Sequence, residues 1–406
     1  MKGALLELTA RGSEDANLIG NPQISFFKKV HKKYTNYSKF EVSHHFNGKL
    51  KFGEKIVCKI DKKGDLLSNM MLQIILPDIP NQAPTENTTY VDAIGNFMIE
   101  EISFKMGGVT IDKLTSDYIN IFYNNYYHFS KLSSYNKLIA KSPSAFTKTS
   151  NISNIELIVP LPFWFTKHVS QALPLLCLQY TEITIEVTFK KPNQCYCTFD
   201  DGTNSFITPT PPTTDITFTE CNLFCDYIYL DTPERGLFLK QPQLTYLIEQ
   251  TQENKFSVSA GQTLGNYELI FNHPVKELIM FYISDSNKEI NRWNVYSNNT
   301  NIRPIKKIGL KFNGLDRFEP RLSKYFEYYQ PISHHPSSSG DNIFYYSFAK
   351  NTYDYQPSGT CNFSKLDDVI LHFEYNSNIT AGEIVVYALN FNFLKIKSGM
   401  AGTIFS

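Results

Sequence analysis

Several things are scarce or missing in this chain of 406 residues. No apolar run approaches the roughly 20 residues that cross a bilayer as a helix; Leu72–Pro77 is typical of what is present. No secretory leader is expected: Ala4, Leu5 and Leu6 are apolar, but Glu7 and Arg11 interrupt any hydrophobic core of a signal. The chain reads as soluble and outside the secretory pathway. Charge of one sign is not in excess either. Lys and Arg total 39, Asp and Glu total 39, and the formal net charge is +0. A surface built to grip nucleic acid needs a positive excess to displace counterions, so no direct nucleic-acid partner is expected. Catalytic signatures are missing as well: there is no GxSxG elbow, Walker loop, HExxH or dinucleotide fingerprint. The 7 cysteines are odd in number and lack framework spacing.

What is present favours strands. Hydrophobic residues make up 42% and aromatic residues 14%, with 31 Phe and 25 Tyr; flat rings pack well on pleated surfaces. The length suits two domains of about 200 residues each. One stretch organises the reading. In Lys306–Leu315, KKIGLKFNGL, Ile308, Leu310 and Phe312 alternate with Gly309 and Lys311, and Asn313-Gly314 follows. This is a half-buried strand leading into a type I′ turn. Glu100–Val109, EEISFKMGGV, repeats it: Ile102, Phe104, Met106 and Gly108 match Ile308, Leu310, Phe312 and Gly314 at a constant offset of 206. After a slip of one residue, Ser116-Asp117-Tyr118-Ile119 matches Ser323-Lys324-Tyr325-Phe326. One β-domain has been used twice.

In chain order, Met1–Ser25 reads as a turn-rich arm. Strands are expected around Phe40–His44, Phe52–Ile60, Leu66–Leu76 and Ala93–Met106, with a polar loop at Asn81–Thr89. Asp117–Phe129 has helical spacing, and Ser130–Asn154 reads as a long excursion. Ile155–Phe165, with Pro160 and Pro162, can only be an edge or bent strand. Ile183–Phe189 alternates cleanly and has Val369–Tyr375 as its counterpart. Thr208–Asp215, TPTPPTTD, is the expected boundary. Later strands fall at Phe224–Leu230, Leu244–Gln250, Leu269–Ile283 (divided by Pro274), Phe344–Phe348 and Ile384–Ile396. Asp231–Phe238 reads as a charged turn and Gln330–Asn342 as a loop. The expectation is all-β: two tandem eight-stranded antiparallel jelly-roll sandwiches with long loops and few short helices, divided as arm 1–25, first jelly roll 26–214 and second jelly roll 215–406.

Candidate chemistry is thin. Cys195/Cys197 and Cys221/Cys225 invite a zinc reading but lack CxxC turns and nearby His, so buried thiols are expected. The doublets His44-His45 and His334-His335 each present one side chain inward on a strand, and the plain reading is a polar turn or surface His. Asp231, Glu234 and Arg235 are explained by a turn tying two strands, and Asp367-Asp368 by protection of a strand edge. Lys28–Lys33 reads as a solvated basic edge, with contact to phosphate or an acidic neighbour as the alternative. Asn-x-Ser/Thr sequons begin at Asn36, Asn87, Asn151, Asn298, Asn362 and Asn378 and are expected by chance in an Asn-rich chain. No catalytic, cofactor-binding or metal residue is assigned, and no cofactor is expected. Trp293 and Tyr296 in an Asn-rich loop leave open a carbohydrate-binding alternative; an amidase-like enzyme would need convergent acids that the sequence does not display.

Longer strings then identify a family. Asp15–Lys28, DANLIGNPQISFFK, resembles the D-x-x-L-x-G-N-P-Q-I-T-F-F-K opening of the major capsid proteins of nucleocytoplasmic large DNA viruses. Leu173-Pro174-Leu175, Leu178-Gln179-Tyr180, Tyr246–Gln250, His273–Leu278, Asp316-Arg317-Phe318, Gln356–Ser364 (QPSGTCNFS) and Ser398–Gly402 continue the likeness over nearly the whole chain. The closing Thr403–Ser406 departs from the family's AYSN, and the chain is somewhat short, so some loops are expected to be trimmed. The resemblance implies a double jelly roll that associates as a homotrimer. Such trimers are pseudo-hexagonal capsomers that contact neighbouring capsomers, minor capsid proteins and penton proteins. It also implies an arm, Met1–Ser25, directed to the inner capsid face or membrane side, a non-enzymatic structural role, and a place in the virion shell assembled in the host cytoplasm.

Overall fold

The computed structural model describes residues 2–79, 86–141, 155–200, 205–209, 216–297, 303–337, 342–377 and 379–405. By their contacts the residues form two units, Met1–Asn36 and Tyr37–Ser406. The first unit contains the helices Lys2–Thr9 and Ala16–Ile19 and, among its described residues, no strand. The expected arm lies within it.

The second unit carries its main strands in two runs of eight. The first run is β1 Tyr37–His45, β2 Lys55–Lys59, β3 Leu66–Leu76, β4 Ile99–Met106, β5 Val109–Thr115, β6 Ile155–Pro160, β7 Ile183–Phe189 and β8 Glu220–Leu230. The second is β9 Gln243–Val258, β10 Leu264–Glu268, β11 Pro274–Ser284, β12 Ile305–Phe312, β13 Leu315–Leu322, β14 Phe344–Ser347, β15 Val369–Tyr375 and β16 Gly382–Lys397. The first run forms sheets in the order β1-β8-β3-β6 and β2-β7-β4-β5; the second forms β9-β16-β11-β14 and β10-β15-β12-β13. Adding eight to every label of the first half gives the second. All of these pairs are antiparallel. Two four-stranded sheets joined in this order are jelly rolls. Leu173–Pro174 adds to β3, Cys361–Asn362 to β11 and Met400–Thr403 to β16.

The echo superposes in register. Ile102, Phe104 and Met106 face Val187, Ile185 and Ile183 on β7, while Ile308, Leu310 and Phe312 face Phe373, Leu371 and Val369 on β15. Strands β7 and β15 bury alternate residues in the same pattern, as period-2 apolar sequences must. Five of the six echo residues are buried; Phe312 is half-buried against the second core. Both hairpin turns use positive φ, at Gly107-Gly108 and at Asn313-Gly314. The slip of one residue also has a structural cause. Phe104 pairs with Asp112 and Ile102 with Leu114, but Leu310 pairs with Phe318 and Ile308 with Arg321. β13 therefore carries an extra residue near Pro320, a β-bulge. Pro320 lies directly over Gly309, where a Cβ would come within 3.1 Å of its ring.

Four expectations need correction. Phe224–Leu230, read as the start of the second half, belongs to β8, which pairs with β1 and β3 of the first sheet. A jelly roll closes by laying its last strand beside its first, so a proline-rich stretch before that strand cannot be the boundary. Most of that stretch, residues 210–215, lies outside the described residues. Part of the loop expected at Asn81–Thr89 is a strand: Glu86–Tyr90 pairs with Tyr196–Asp200. The charged turn after Asp231 is the helix Thr232–Lys240, whose first amide is capped by the Asp231 side chain. The loop expected from Gln330 begins with the helix Gln330–His334. The helix expected from Asp117 spans Ser116–Tyr126, and Phe129–Leu138 follows as a second helix in the excursion.

The two cores are unequal. One cluster joins the first half's interior to Ile248, Ile279, Phe281, Val385, Tyr387, Leu394 and Ile396 of the second half. The other is the second half's own interior, including Leu278, Met280, Ile308, Leu310, Phe373 and Val386. β11 and β16 are thus buried on both faces, which is why their sequences lose the polar alternation of a half-exposed strand.

Candidate functional site

The residues singled out from the sequence do not converge. Cys58, Cys195, Cys197, Cys221 and Cys225 are buried free thiols. Burial pushes the Cys58, Cys197 and Cys221 thiols up to about 12. Among the described residues no group of three or more His, Cys, Asp or Glu is arranged to hold a metal ion. His44 on β1 points inward, as the doublet argument requires; His335 is also buried, but at the end of the helix Gln330–His334 and not on a strand, so neither is a surface group. The His44 ring is 2.8 Å from the Tyr227 hydroxyl, and His335 is 2.6 Å from Glu277 Oε1 inside the second half. His45 pairs with Asn222 and His334 with the Lys350 carbonyl. Arg235 reaches Asp65 at 3.2 Å, joining the helix after β8 to the turn before β3. The amides of Asp367 and Asp368 donate to the Asn313 side chain, so that acidic pair is fixed by its backbone. Lys28–Lys33 falls in the first unit. Asn151, Asn298 and Asn378 lie outside the described residues.

Trp293 and Tyr296 are not a sugar platform. Tyr296 is buried against Phe281 and accepts a hydrogen bond from Asn120, while the Trp293 indole donates to the Gln194 carbonyl at 2.9 Å with Lys190 over its ring. Both hold one half to the other.

That junction is the most built-up feature of the second unit. β9 and β16 are 16 residues each, against 9 and 11 for β1 and β8. The extra length, Gln243–Gln250 paired with Asn390–Lys397, forms a ribbon beyond the second barrel. It lies along β5, where the Gln250 side chain donates to the Ile111 carbonyl at 2.5 Å and the Thr251 hydroxyl to the Lys113 carbonyl at 2.6 Å. From the other side the helix Ser116–Tyr126 packs on the outward face of β16 and β11. Tyr118 meets Tyr387 with ring centroids 5.8 Å apart, and Asn125 donates to the Tyr345 hydroxyl. Tyr387 donates to Glu253 at 2.8 Å and shares a 2.5 Å hydrogen bond with Thr115.

A buried charge cluster sits in this seam. Glu249 of β9 takes Lys167 of the first half at 2.7 Å and Lys276 of β11, whose ammonium also donates to the Thr352 carbonyl at 2.9 Å. Burial disfavours a charged Glu249, but the two ammonium groups prevail and hold its carboxyl at about 2. Burial lowers Lys276 despite Glu249, whereas in the less enclosed Lys167 the attraction of Glu249 overcomes burial and raises it. Nearby Asp112 is pushed up to about 7 by burial, against the pull of Lys167 and hydrogen bonds from the Thr251 and Lys113 amides. A cleft of about 650 Å³ opens beside the cluster, lined by Met71, Phe122, Tyr126, Pro160, Lys167 and Tyr355 among others. The cluster's charges are paired with one another and with the backbone, so the arrangement locks two domains. Sequence reasoning missed Lys167, Glu249 and Lys276. The available signal was Lys276-Glu277 inside PVKELIMFYIS, a charge pair in an otherwise apolar strand.

Comparison with known proteins gives the same two-part division. A family model described as the major capsid protein N-terminus matches residues 25–231, and one described as the large eukaryotic DNA virus major capsid protein matches residues 234–402. The major capsid protein of Pyramimonas orientalis virus is 31% identical over 433 aligned residues, covering 100% of both chains. That of Paramecium bursaria Chlorella virus 1 is 28% identical, covering 99% of both. Among solved structures, the capsid protein of that virus has a TM-score of 0.78 at 24% identity, covering 94% of this chain and 100% of its own. The Faustovirus major capsid protein has a TM-score of 0.78 at 11% identity, covering 97% and 96%. At such identities the structures show a shared fold.

Proposed function

The chain belongs to the major capsid protein family of large eukaryotic DNA viruses, and from that membership we propose that it is a structural subunit of an icosahedral virion shell, working as a homotrimeric capsomer. The observation that carries the reading is the repeated strand order: two barrels of one topology in one chain, fused by a charged and apolar seam. Three such chains present six similar walls, so a threefold oligomer tiles almost as a hexagon. Zero formal charge suits close packing of identical neighbours. Contacts with neighbouring capsomers, minor capsid proteins and penton proteins can each be weak, because many act together. Residues 1–25 serve as an arm directed to the inner face or membrane side, and assembly takes place in the host cytoplasm. The role is non-enzymatic, and no catalytic, cofactor or metal residue is assigned. The division between jelly rolls falls between Leu230 and Gln243; the pairing of β8 with β1 and the meeting of the two family matches at 231 and 234 support this placement.

Light scattering on the purified chain tests the proposal. A stable trimer at micromolar concentration is expected, with an interface above the roughly 1,000 Å² of a specific contact. A clean monomer refutes the capsomer.

A further inference from the structure

The internal repeat allows the contact between chains to be read from the contact within one. In the second half, Tyr387 and Ile279 form a cross-strand pair on the face of the β9-β16-β11-β14 sheet that points away from its own core. In the first half the corresponding pair is Phe224 with Met71: each lies one step from the equivalent inward pairs, Val386 with Met280 and Leu223 with Leu72. The second-half face is buried under Thr115 and the helix Ser116–Tyr126. The first-half face is less covered: Phe224, Met71, Gln73 and Ile75 are half-buried, and Met71 lines the cleft it shares with Phe122 and Tyr126.

The covering element also has a counterpart. The offset of 207 that maps Ser116 onto Ser323 maps Tyr118 onto Tyr325 and Phe122 onto Tyr329. Ile119 and Phe326 both turn fully into their own cores, so the two segments start in the same orientation, although Tyr325–Tyr329 is a π-helical turn leading into the helix Gln330–His334. On the opposite side the helix Ser116–Tyr126 presents Tyr118 to Tyr387 and Asn125 to Tyr345. The second-half segment presents Tyr328, Tyr329 and Ile332 to solvent, 37%, 59% and 75% exposed, with Leu322 (59%) at the position of Thr115. One half has a stripe that is spent on the other half. The other has a comparable stripe, more apolar: Arg303 lies over the Tyr328 ring and donates to its hydroxyl, while Leu322, Tyr329 and Ile332 are well exposed.

We propose that Leu322, Tyr328, Tyr329 and Ile332 of one copy pack on the outward face of the first-half sheet of a second copy, around Phe224 and Met71. The contact rests on the trimeric reading and names the surfaces that make it. It is head-to-tail, with stripe and face at different places on the chain, so each copy gives one and receives one, and the set ends only when a ring closes. The pairing is chemically consistent, since two aromatic rings and two aliphatic side chains meet an apolar centre rimmed by polar residues of β1 and β8.

Two experiments on the full chain test it. Tyr329→Glu and Phe224→Asp are each expected to reduce the mass measured by light scattering to one third of the wild-type value, while Leu264→Glu, at an equally exposed edge residue of β10, leaves it unchanged. Tyr329 is solvent-exposed, so its replacement leaves the monomer fold, read by circular dichroism, intact. Ser43→Cys combined with Leu322→Cys is expected to give, on oxidation, covalent dimers and trimers that neither single variant gives. A trimeric wild type whose Tyr329→Glu variant stays trimeric, or whose cysteine pair yields no cross-linked ladder, overturns the assigned contact alone. A monomeric wild type overturns the capsomer reading together with this contact.

Discussion

Exchange of Glu249 for Gln tests the seam most directly. The side chain is 8% exposed and lies between Lys167 and Lys276. Burial opposes its ionisation and the two lysines reverse that, moving the carboxyl from 4.5 to about 2. A displacement of that size corresponds to about 3 kcal/mol at 1.36 kcal/mol per pH unit. Breaking a buried ion pair from one side costs roughly 3–5 kcal/mol, because a charge is left without its partner. The two routes agree, and Glu249→Gln is expected to lose about 3 kcal/mol at pH 8. The folded pKa lies below the ordinary one. The contribution is therefore present above about pH 4.5 and fades as pH falls toward 2, so the deficit of the variant should shrink from pH 5 to pH 3.

Asp112, in the same seam, should behave oppositely. Burial raises it from 3.8 to about 7, against Lys167 and two amide hydrogen bonds. Its contribution to stability is full below about 3.8 and is lost as pH rises through 7. Asn keeps an acceptor for the Lys113 amide at 2.9 Å and the Thr251 amide at 3.3 Å, and it removes the charge. Asp112→Asn is expected to gain up to about 4 kcal/mol at pH 8 and little at pH 4. Urea unfolding at fixed protein concentration, followed by intrinsic fluorescence at pH 3, 4, 5 and 8, measures both variants. If the two substitutions move the midpoint in the same direction at pH 8, the assignment of charge within the seam is wrong.

Other outcomes follow from single contacts. Asn313→Ala removes the acceptor of the Asp367 and Asp368 amides and should cost about 1–2 kcal/mol in a thermal melt, more than an exposed turn substitution ordinarily does. Gly382→Ala would place a Cβ 2.4 Å from the Ile283 carbonyl oxygen, so a loss of at least about 2 kcal/mol and a reduced soluble yield are expected. Of the seven thiols, Cys177 and Cys361 are half-buried and the other five are enclosed; titration with a thiol reagent should label no more than two before denaturant is added. Tyr387→Phe should weaken the seam by about 1 kcal/mol through loss of the Thr115 and Glu253 hydrogen bonds, read as a lower urea midpoint.

How much could be read from the sequence varied with the kind of force involved. The echo strands were legible because their faces are set by local alternation: Ile102, Phe104 and Met106 bury one side and the chain turns at glycines, whichever barrel surrounds them. β7 and β15 were legible for the same reason. The strand Glu86–Tyr90 was not, because its partner Tyr196–Asp200 lies more than a hundred residues away and neither sequence alternates. The helix after Asp231 was hidden by weak amphipathicity. None of its residues is buried, so no apolar stripe marked it.

The boundary error shows what a repeat conceals. A proline-rich stretch near the middle of a duplicated chain looks like a linker, and composition alone favours cutting there. Topology does not allow it. β8 supplies the hydrogen bonds of β1 on one side and β3 on the other, so a first half ending before residue 220 would lose the centre of its own sheet. The equivalent strand in the second half, β16, runs 16 residues because it does two jobs, completing its barrel and carrying the ribbon that grips the first half. Duplication explains why the halves share a strand order, while the added length of β9 and β16 explains why they are not interchangeable. A chain built only of two equal barrels would have two uncovered faces and two free stripes. This chain has used one stripe and one face internally, and the directionality left over is what a closed ring of copies requires.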